Sequence, residues 1–416
     1  MSGASADIVI IGSGIGGATM AHALAPTGAS ILILERGERL LDSPEARDDR
    51  AIFQQGFFRT KESWYTTDGT VFNPGNFYNV GGNSKFYGAV MLRYRAEDFR
   101  PIAHMEGSTP GWPISYDEIE PWYGRAETLF AIRGQTGEDP TEPWHSSPYA
   151  FPPVPDEAPI AAVRERLMAQ GLHPASLPLA VDHTAWLARA KTPWDGFPNT
   201  TAGKIDAETG PLTSAFTHGN VRLETGSEVL TLETSGDGQR IVAAIVRRKG
   251  ETTRITANTF ILAAGAINSA ALLLRSNNGQ GIANRSDQVG RNFMNHNCTA
   301  MVAVDPGLQN DSIYQKTLYL NDFYLADGSG GYPLGNVQLL GKISGNIFKA
   351  NLPLVPAFAT KMLARHSVDW YLMSEDLPHP EAPAEGGPFD MRPYSAGDPI
   401  RFVLWKVFAK SRDLVV

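Results

Sequence analysis

Three glycines and one acidic residue near the start of the chain have the types and the spacing that bind a nucleotide. Gly12, Gly14 and Gly17 follow G-x-G-x-x-G spacing, and Glu35 comes 18 residues after the last of them. The first glycine allows a tight turn, the second lets the backbone approach a pyrophosphate, and the third lets the next helix pack closely. An acid at that distance can accept hydrogen bonds from an adenosine ribose. The pattern predicts dinucleotide binding, and an ordinary glycine-rich turn is the alternative.

The elements around this pattern must place it at the start of a helix. Residues 8–11 form a short apolar run that is typical of a strand buried on both faces. Residues 18–25 are rich in alanine and predict a helix, and residues 30–34 predict a second apolar strand that stops at Glu35. A helix N-terminus offers unpaired N–H groups and a positive dipole end, which suit phosphates. The order of these elements favours the nucleotide site over an ordinary turn.

A second segment of small residues follows at 79–89. Gly81, Gly82, Ser84 and Gly88 lie there in an otherwise aromatic stretch. Because small residues leave no side chain in the way, we interpret this segment as backbone lying against a flat ligand. A tight turn that enters a helix is the alternative.

The pattern changes to short alternating strands after Asn220. These strands are separated by turn residues and predict an antiparallel meander at 221–223, 227–232, 241–247 and 253–257. A further buried strand at 260–266 and a helix at 267–275 follow, so one sheet must be built from separated parts of the chain.

Three predictions concern the middle of the chain. Ser115 and Glu118 have the spacing of a capping box at the start of a helix. Residues 159–167 predict another helix, whereas residues 182–201 are too irregular for a regular element.

Composition excludes several classes of protein. The chain has 416 residues, a net charge of −8 and a pI near 5.6, so it lacks the basic footprint of a nucleic-acid-binding protein. It has no lysine-rich run for an acidic membrane surface, and its longest apolar stretch, 260–274, is too short to span a bilayer. No H-E-x-x-H, C-x-x-C or G-x-S-x-G motif occurs, so zinc protease, thiol redox and serine hydrolase chemistry lack support. We assign no metal ligand.

The single cysteine bears on the compartment. Cys298 is the only cysteine, which excludes an internal disulfide and suits a reducing environment. Because the first strand begins within ten residues of Met1, we expect no signal peptide. We therefore expect a soluble, cytoplasmic protein with no membrane span and no nucleic-acid partner.

Four stretches together resemble the glucose–methanol–choline (GMC) oxidoreductases, flavoenzymes that oxidise alcohols. They are the fingerprint at 12–35, Gly81-Gly82-Asn83-Ser84 with Phe86-Tyr87-Gly88-Ala89, Ala263-Ala264-Gly265-Ala266-Ile267-Asn268-Ser269 with Leu272-Leu273, and Val289-Gly290-Arg291-Asn292-Phe293-Met294-Asn295-His296. The resemblance stops near Glu381, and residues 382–416 resemble nothing in the family. We hypothesise a C-terminally incomplete member that lost its last part, for example by a change of reading frame.

The resemblance implies an α/β fold with FAD as the cofactor. A Rossmann-like FAD-binding domain would comprise residues 1–95 and 215–290, a discontinuous α+β substrate domain residues 96–214 and 291–381, and an atypical tail residues 382–416. The residues that would bind FAD are Gly12, Gly14, Ile15, Gly16, Gly17, Glu35, Arg36, Gly81, Gly82, Ser84, Tyr87, Gly88, Ala89, Val229, Ala264 and Gly265.

The implied activity is oxidation of the CH–OH group of a small alcohol, polyol or sugar by hydride transfer to the flavin. A base would remove the hydroxyl proton. The electron acceptor stays open between oxygen, a quinone and a carrier protein. NAD as sole cofactor is the weaker interpretation, because it explains neither the small residues at 81–89 nor the discontinuous sheet.

No catalytic residue is assigned. The family places a histidine, followed at some distance by histidine or asparagine, in a C-terminal segment that this sequence does not show. His296 and Asn297 are adjacent rather than separated, so we do not assign them that role. His379 could line a substrate pocket, and His183 and His218 have no partner pattern. The alternative function is therefore a flavin-binding protein that is catalytically incomplete.

Overall fold

Two β-sheets organise the chain in a computed structural model that describes residues 5–65, 69–105, 107–189, 195–200, 203–294, 297–328 and 330–377. The strands are β1 (Ser5–Ile11), β2 (Ile31–Leu34), β3 (Trp64–Tyr65), β4 (Val71–Phe72), β5 (Ile102–His104), β6 (Gly107–Thr109), β7 (Ala175–Ser176), β8 (Val221–Glu224), β9 (Ser227–Thr234), β10 (Ile241–Arg248), β11 (Glu251–Leu262), β12 (Asn297–Val304), β13 (Leu318–Leu320), β14 (Asn336–Leu339) and β15 (Ser367–Ser374). The α-helices are α1 (Ile15–Leu24), α2 (Tyr116–Leu129), α3 (Ala158–Ala169), α4 (His183–Arg189), α5 (Thr213–Phe216), α6 (Ala266–Arg275), α7 (Gly345–Asn351) and α8 (Ala357–Arg365).

The first sheet has the order β8-β2-β1-β11-β10-β9 and carries the glycine turn. The predicted strands on either side of that turn are parallel neighbours, with Ile8 opposite Ile31. Alternate residues of β1 face opposite sides of the sheet: Ile10 packs with the α1 and α5 side, whereas Val9 packs with the α6 and meander side. Both faces are covered, which explains why the sequence shows continuous apolar runs rather than alternation.

The predicted meander contains one error. Residues 221–223 do not join it, because β8 pairs with β2 in parallel and Ile31 lies opposite Val221. Parallel neighbours need a long connection, and the chain between β2 and β8 supplies one. The meander consists of β9, β10 and the first part of β11.

Strand β11 is one element that the sequence divided into two. Its first part pairs antiparallel with β10, with Ile255 opposite Ala244. Its last part pairs in parallel with β1, with Phe260 opposite Val9. The meander and the parallel strands are therefore one continuous sheet.

The second sheet has the order β12-β15-β14-β13-β7. Leu318, Leu339 and Trp370 form an apolar face on it, and Ile160 of α3 covers that face. The helix predicted at 159–167 is confirmed as α3. The irregular structure predicted at 182–201 is wrong at its start, because α4 begins at His183. The Asp182 carboxylate accepts a hydrogen bond from the Ala185 N–H at 2.9 Å, a helix-start signal that we did not use.

The capping box predicted at the start of α2 is confirmed. The Ser115 N–H donates to Glu118 Oε2 at 2.7 Å, and the Glu118 N–H donates to Ser115 Oγ at 3.3 Å. The backbone N–H and then the hydroxyl of Ser115 hold the pKa of the Glu118 carboxyl below its ordinary value. The hydrogen bonds to Glu118 stabilise the fold fully above the pKa of Glu118 in the unfolded chain. This stabilisation is lost as the pH falls through the lower pKa of Glu118 in the folded protein.

Ser115→Ala is expected to lower the free energy of unfolding by about 1 kcal/mol at neutral pH, because the first turn of α2 loses its cap. The difference should shrink in acid, below the folded pKa of Glu118. Urea unfolding at both pH values measures it. Ser108→Ala, at an exposed serine of β6, is the control and should change little; an equal loss in both variants would contradict the capping role.

The described part of the chain offers neither a membrane span nor a metal centre. No helix within the described ranges combines the length and the apolarity needed to cross a membrane. In the same part of the chain, no three His, Cys, Asp or Glu side chains are grouped so as to hold a metal ion.

Candidate cofactor site

A cavity of about 1070 Å³ opens at the carboxyl ends of β1, β2 and β11, beside the N-termini of α1 and α6. This is the edge at which open α/β sheets bind ligands. The expected cofactor residues that line it are Gly12, Gly14, Ile15, Gly16, Glu35, Arg36, Gly81, Gly82, Ser84, Tyr87, Val229, Ala264 and Gly265. Segments far apart in the sequence therefore meet at one cavity.

The glycine turn leaves room for a ligand only in front of α1. Gly12 has φ = +100°, and a Cβ there would overlap the Ala263 carbonyl oxygen. A Cβ on Gly17 would overlap the Gly12 carbonyl oxygen, so the helix packs against the turn itself. A Cβ on Gly14, by contrast, would meet nothing within 4 Å. Since no side chain caps α1 at Gly14, its first N–H groups are left for an anion.

Glu35 lies buried beside this turn as an acceptor. Its Oε2 accepts hydrogen bonds from the Ser13 N–H at 3.0 Å and the Ser13 hydroxyl at 2.6 Å, and its Oε1 accepts one from the Gly37 N–H at 2.8 Å. Ser13 Oγ also accepts from the Gly81 N–H at 3.2 Å. A carboxylate oxygen can accept two hydrogen bonds, so Oε1 keeps capacity for a ribose hydroxyl.

Ser13 is a residue that the sequence analysis missed. It joins the acid after β2 to the Gly81 segment, and its place between the first two fingerprint glycines was the available signal.

Ser13→Ala is expected to weaken FAD binding roughly threefold to tenfold, because one hydrogen bond to a charged acceptor and one from Gly81 are lost. Titration of the apoprotein with FAD measures this. Ser30→Ala, whose hydroxyl donates to exposed Asp7 at 2.6 Å, removes a similar bond far from the cavity and should leave FAD affinity unchanged.

The Gly81 segment is a left-handed turn that enters a short 3₁₀ helix, Gly82–Lys85. Gly81 and Gly82 have φ = +89° and +55°, and a Cβ on Gly82 would lie 3.4 Å from Gly14 Cα. Ser84 Oγ donates to the Gly81 carbonyl at 2.6 Å and accepts from the Ala207 N–H at 3.1 Å, which holds the turn. The segment is therefore the tight turn of the second interpretation, and Gly81 and Gly82 line the cavity. Contact of its backbone with a flat ligand stays a prediction.

Three expected cofactor residues do not line the cavity. Gly17 packs behind it, as described above. A Cβ on Gly88 would meet the buried ion pair between Lys316 and Asp195, and Ala89 is fully buried, its carbonyl accepting from Ala180 at 2.8 Å. These residues support the wall from outside.

Tyr87 directly precedes Gly88 in the chain and, unlike Gly88, lines the cavity. Its hydroxyl donates to the Ile205 carbonyl, and burial raises the pKa of Tyr87 well above its ordinary value. The phenol is therefore a fixed, protonated donor.

The opposite end of the cavity lies at β9. The Val229 carbonyl accepts from the Arg275 guanidinium at 2.9 Å. Arg275, Tyr78 and Asn268 line this end and were not predicted. Their roles depend on contacts between distant segments, which no local pattern signals.

The histidines are outside this arrangement in the described part of the chain. No histidine is among the residues that line the cavity. His183 lies on α4, where burial lowers its pKa, and His218 is exposed. His296, His379 and residues 382–416 lie outside the described residues.

The glycine turn, the open helix N-terminus and the buried acid fit the pyrophosphate and ribose of FAD. Fold and site together define a dinucleotide-binding protein of the Rossmann type. A family model described as "NAD(P)-binding Rossmann-like domain" matches residues 10–60, and one described as "GMC oxidoreductase" matches residues 188–298. The chain belongs to the GMC oxidoreductase family, whose cofactor is FAD.

Three curated relatives support this membership. The chain is 29% identical to 6'''-hydroxyparomomycin C oxidase of Streptomyces lividus over 78% of its length and 62% of the relative's. It is 32% identical to paromamine 6'-oxidase of Streptomyces fradiae over 68% and 52%, and 27% identical to the fructose dehydrogenase large subunit of Gluconobacter japonicus over 70% and 58%. The matched part therefore spans less than two thirds of each relative.

Solved structures show the same fold at lower identity. Pyridoxine 4-oxidase from Mesorbium loti superposes with a TM-score of 0.57 and 18% identity, covering 90% of this chain and 72% of that one. Formate oxidase from Aspergillus oryzae gives a TM-score of 0.57 and 15% identity, covering 91% and 73%.

Proposed function

We propose that this protein is an FAD-dependent oxidoreductase that acts on the CH–OH group of a small alcohol, polyol or sugar. The observation that carries this proposal is the cradle at α1, where Gly14 leaves open space in front of unpaired N–H groups beside the buried Glu35. When bound, FAD supplies a two-electron acceptor for the hydride of the carbinol carbon. The chain supplies binding and orientation through the lining residues.

We also propose roles for the individual residues. The N–H groups after Gly14 hold the pyrophosphate, and Glu35 Oε1 accepts from the adenosine ribose. The backbone of Gly81 and Gly82 lies along the pyrophosphate and the flavin. Gly17, Gly88 and Ala89 act by packing behind the cavity wall rather than by contact with the cofactor.

The substrate class rests on the relatives. They are oxidases of 6'''-hydroxyparomomycin C and of paromamine, a fructose dehydrogenase and a 2-methyl-1,2-propanediol dehydrogenase. All of these substrates carry hydroxyl groups, which supports an alcohol, polyol or sugar here. The acceptor of the electrons stays open between oxygen, a quinone and a carrier protein.

A second candidate is a flavin-binding protein without turnover. The observation that favours it is that no histidine lines the cavity among the described residues. A general base must lie within hydrogen-bond reach of the substrate hydroxyl.

Absorption spectra of the purified protein separate the candidates. Bound flavin that is bleached anaerobically by paromamine, fructose or 2-methyl-1,2-propanediol supports the oxidoreductase. Bound flavin that no alcohol of a broad panel bleaches supports the second candidate. A folded, colourless protein that takes up no added FAD contradicts both.

Two further predictions stay proposals. The two sheets support an FAD-binding domain at 1–95 and 215–290 and a substrate domain at 96–214 and 291–381. The single cysteine supports a cytoplasmic location, which cell fractionation tests.

A further inference from the structure

The helix pair α7 and α8 presents large apolar side chains on the outside of the protein. Leu354, in the loop between the two helices, is 96% exposed, and Phe358 and Met362 of α8 are 69% and 59% exposed. Phe358 and Met362 are four residues apart on the helix, so their side chains are neighbours. Exposed apolar side chains that lie together mark a surface that meets a partner.

The loop that carries Leu354 is held in one conformation. The Lys349 ammonium donates to the Pro353 carbonyl at 2.7 Å and to the Val355 carbonyl at 2.6 Å, on either side of Leu354. Proline at 353 and again at 356 fixes the backbone further. The exposure of Leu354 is therefore built into the loop, and little of the loop's freedom is left to lose when a partner binds.

Helix α8 has one buried and one exposed face. Thr360 and Ala364 are buried against the rest of the protein. At 3.6 residues per turn, the exposed residues opposite them fall within roughly 100° of the helix circumference. They are Phe358, Lys361, Met362 and Arg365. We name these four residues together with Leu354 the basic apolar face.

The charge of this region is opposite in sign to that of the whole chain. Residues 341–366 contain four Lys or Arg and no Asp or Glu, whereas the net charge of the chain is −8. Arg365 donates to the Gln309 amide oxygen at 3.0 Å, and no described carboxylate forms an ion pair with Lys361 or Arg365. The sequence shows no lysine-rich run here, because the fold is what brings the two cations to one side of α8.

We propose that the basic apolar face docks on the surface of a membrane that contains anionic phospholipid. Leu354 and Phe358 enter the boundary between headgroups and acyl chains, while the longer side chains of Lys361 and Arg365 reach the lipid phosphates. Attachment of this kind needs no helix that spans the membrane. The inference goes beyond the proposed function, since none of these residues lines the cofactor cavity.

The charges favour a lipid surface over a second copy of this chain. In a two-fold symmetric contact the same face of both copies would meet, which would bring Lys361 and Arg365 of each copy together. The basic apolar face holds no carboxylate that could neutralise them, and like charges placed opposite each other oppose association. An anionic lipid surface supplies the missing negative charge.

The test is sedimentation of the purified full chain with phospholipid vesicles. One set of vesicles is phosphatidylcholine alone, and the other is phosphatidylcholine and phosphatidylglycerol at three to one. The protein should bind the anionic vesicles and leave the neutral ones largely unbound. Binding should weaken as salt is raised, because salt screens the attraction between the cations and the lipid.

Two double variants separate the apolar from the electrostatic part. Leu354→Ser with Phe358→Ser should weaken vesicle binding at least roughly tenfold, since the inserted apolar surface is lost. Lys361→Gln with Arg365→Gln should also weaken it at least roughly tenfold and should remove the preference for phosphatidylglycerol. All four side chains are exposed, so urea unfolding should show both variants to be folded.

Matched controls change the same kinds of residue elsewhere. Met168→Ser alters an apolar side chain of α3 that is 60% exposed, and Lys249→Gln removes an exposed cation in the turn after β10. Neither should affect vesicle binding. Failure of the wild-type protein to bind either vesicle, equal binding to both, or double variants that bind as the controls do would overturn the proposal. Sedimentation velocity without vesicles adds one more outcome: a dimer that the Leu354→Ser, Phe358→Ser variant loses would assign the face to a second copy and overturn it as well.

Discussion

Gly17→Ala is expected to abolish flavin binding by displacing α1 from the glycine turn. The added Cβ would overlap the Gly12 carbonyl oxygen and would come within 3.2 Å of Ile10 Cγ2. Both neighbours belong to the buried start of the fold, so neither can move freely. Overpacking of this kind costs about 3 kcal/mol, which is a large part of the stability of a typical domain. Urea unfolding and the flavin absorbance of the purified variant measure the two effects.

Gly14→Ala is the matched control for stability, since it adds the same methyl group at a position where the methyl clashes with nothing. Nothing lies within 4 Å of its Cβ, and its φ of −64° suits any residue. We expect its free energy of unfolding to change by less than about 1 kcal/mol. Its FAD affinity should nevertheless fall at least about tenfold, or ~1.4 kcal/mol, because the methyl occupies the space left for phosphate. Retention of full FAD affinity in Gly14→Ala would contradict the proposed cradle.

Lys85→Met is expected to destabilise the protein by about 3–5 kcal/mol, because it leaves the buried Asp206 carboxylate without its cation, whereas Glu208 keeps its ion pair with Arg39. Lys85 Nζ lies 3.2 Å from Asp206 Oδ2 and 2.5 Å from Glu208 Oε2, and Asp206 is completely buried. Since Lys85 ends the 3₁₀ helix after Gly81, the cavity wall should loosen as well. Chemical denaturation measures the stability, and flavin content measures the wall.

A second change distinguishes lost charge balance from lost packing. Asp206→Asn in the Lys85→Met background removes the uncompensated charge and should recover part of the stability. Lys61→Met, at an exposed lysine, should have little effect. If the double variant were no more stable than Lys85→Met, the ion pair would not be the cause.

The parts of the fold that the sequence predicted are those fixed by local patterns. The glycine turn, its two strands and the capping box at Ser115 each depend on residues within a few positions of one another. The parallel pairing of β8 could not be predicted in this way, because a short strand carries no mark of its partner. Strand β11 was divided because Asn258 and Thr259 are polar and exposed in its middle, and they look like turn residues although the strand continues through them.

The same distinction applies to the candidate site. Tyr78 and Arg275 acquire their places only when distant segments meet, so no local pattern signalled them, whereas Ser13 could have been found from its place between Gly12 and Gly14. Gly88 shows the reverse case: a small residue in a suggestive segment, which lies against Lys316 instead of the cavity. Smallness indicates close approach, but it does not identify what approaches.

The continuity of β11 joins the cavity to the meander, because Ile261 and Leu262 at its end line the cavity while its first residues pair with β10. Its amide hydrogens belong to the meander at one end and to the parallel strands at the other. We therefore expect hydrogen–deuterium exchange to slow along the whole strand when FAD binds, rather than only beside the phosphates. A ligand bound beside the last residues of β11 would thereby reduce local opening at its first residues, about a dozen positions away along the same strand.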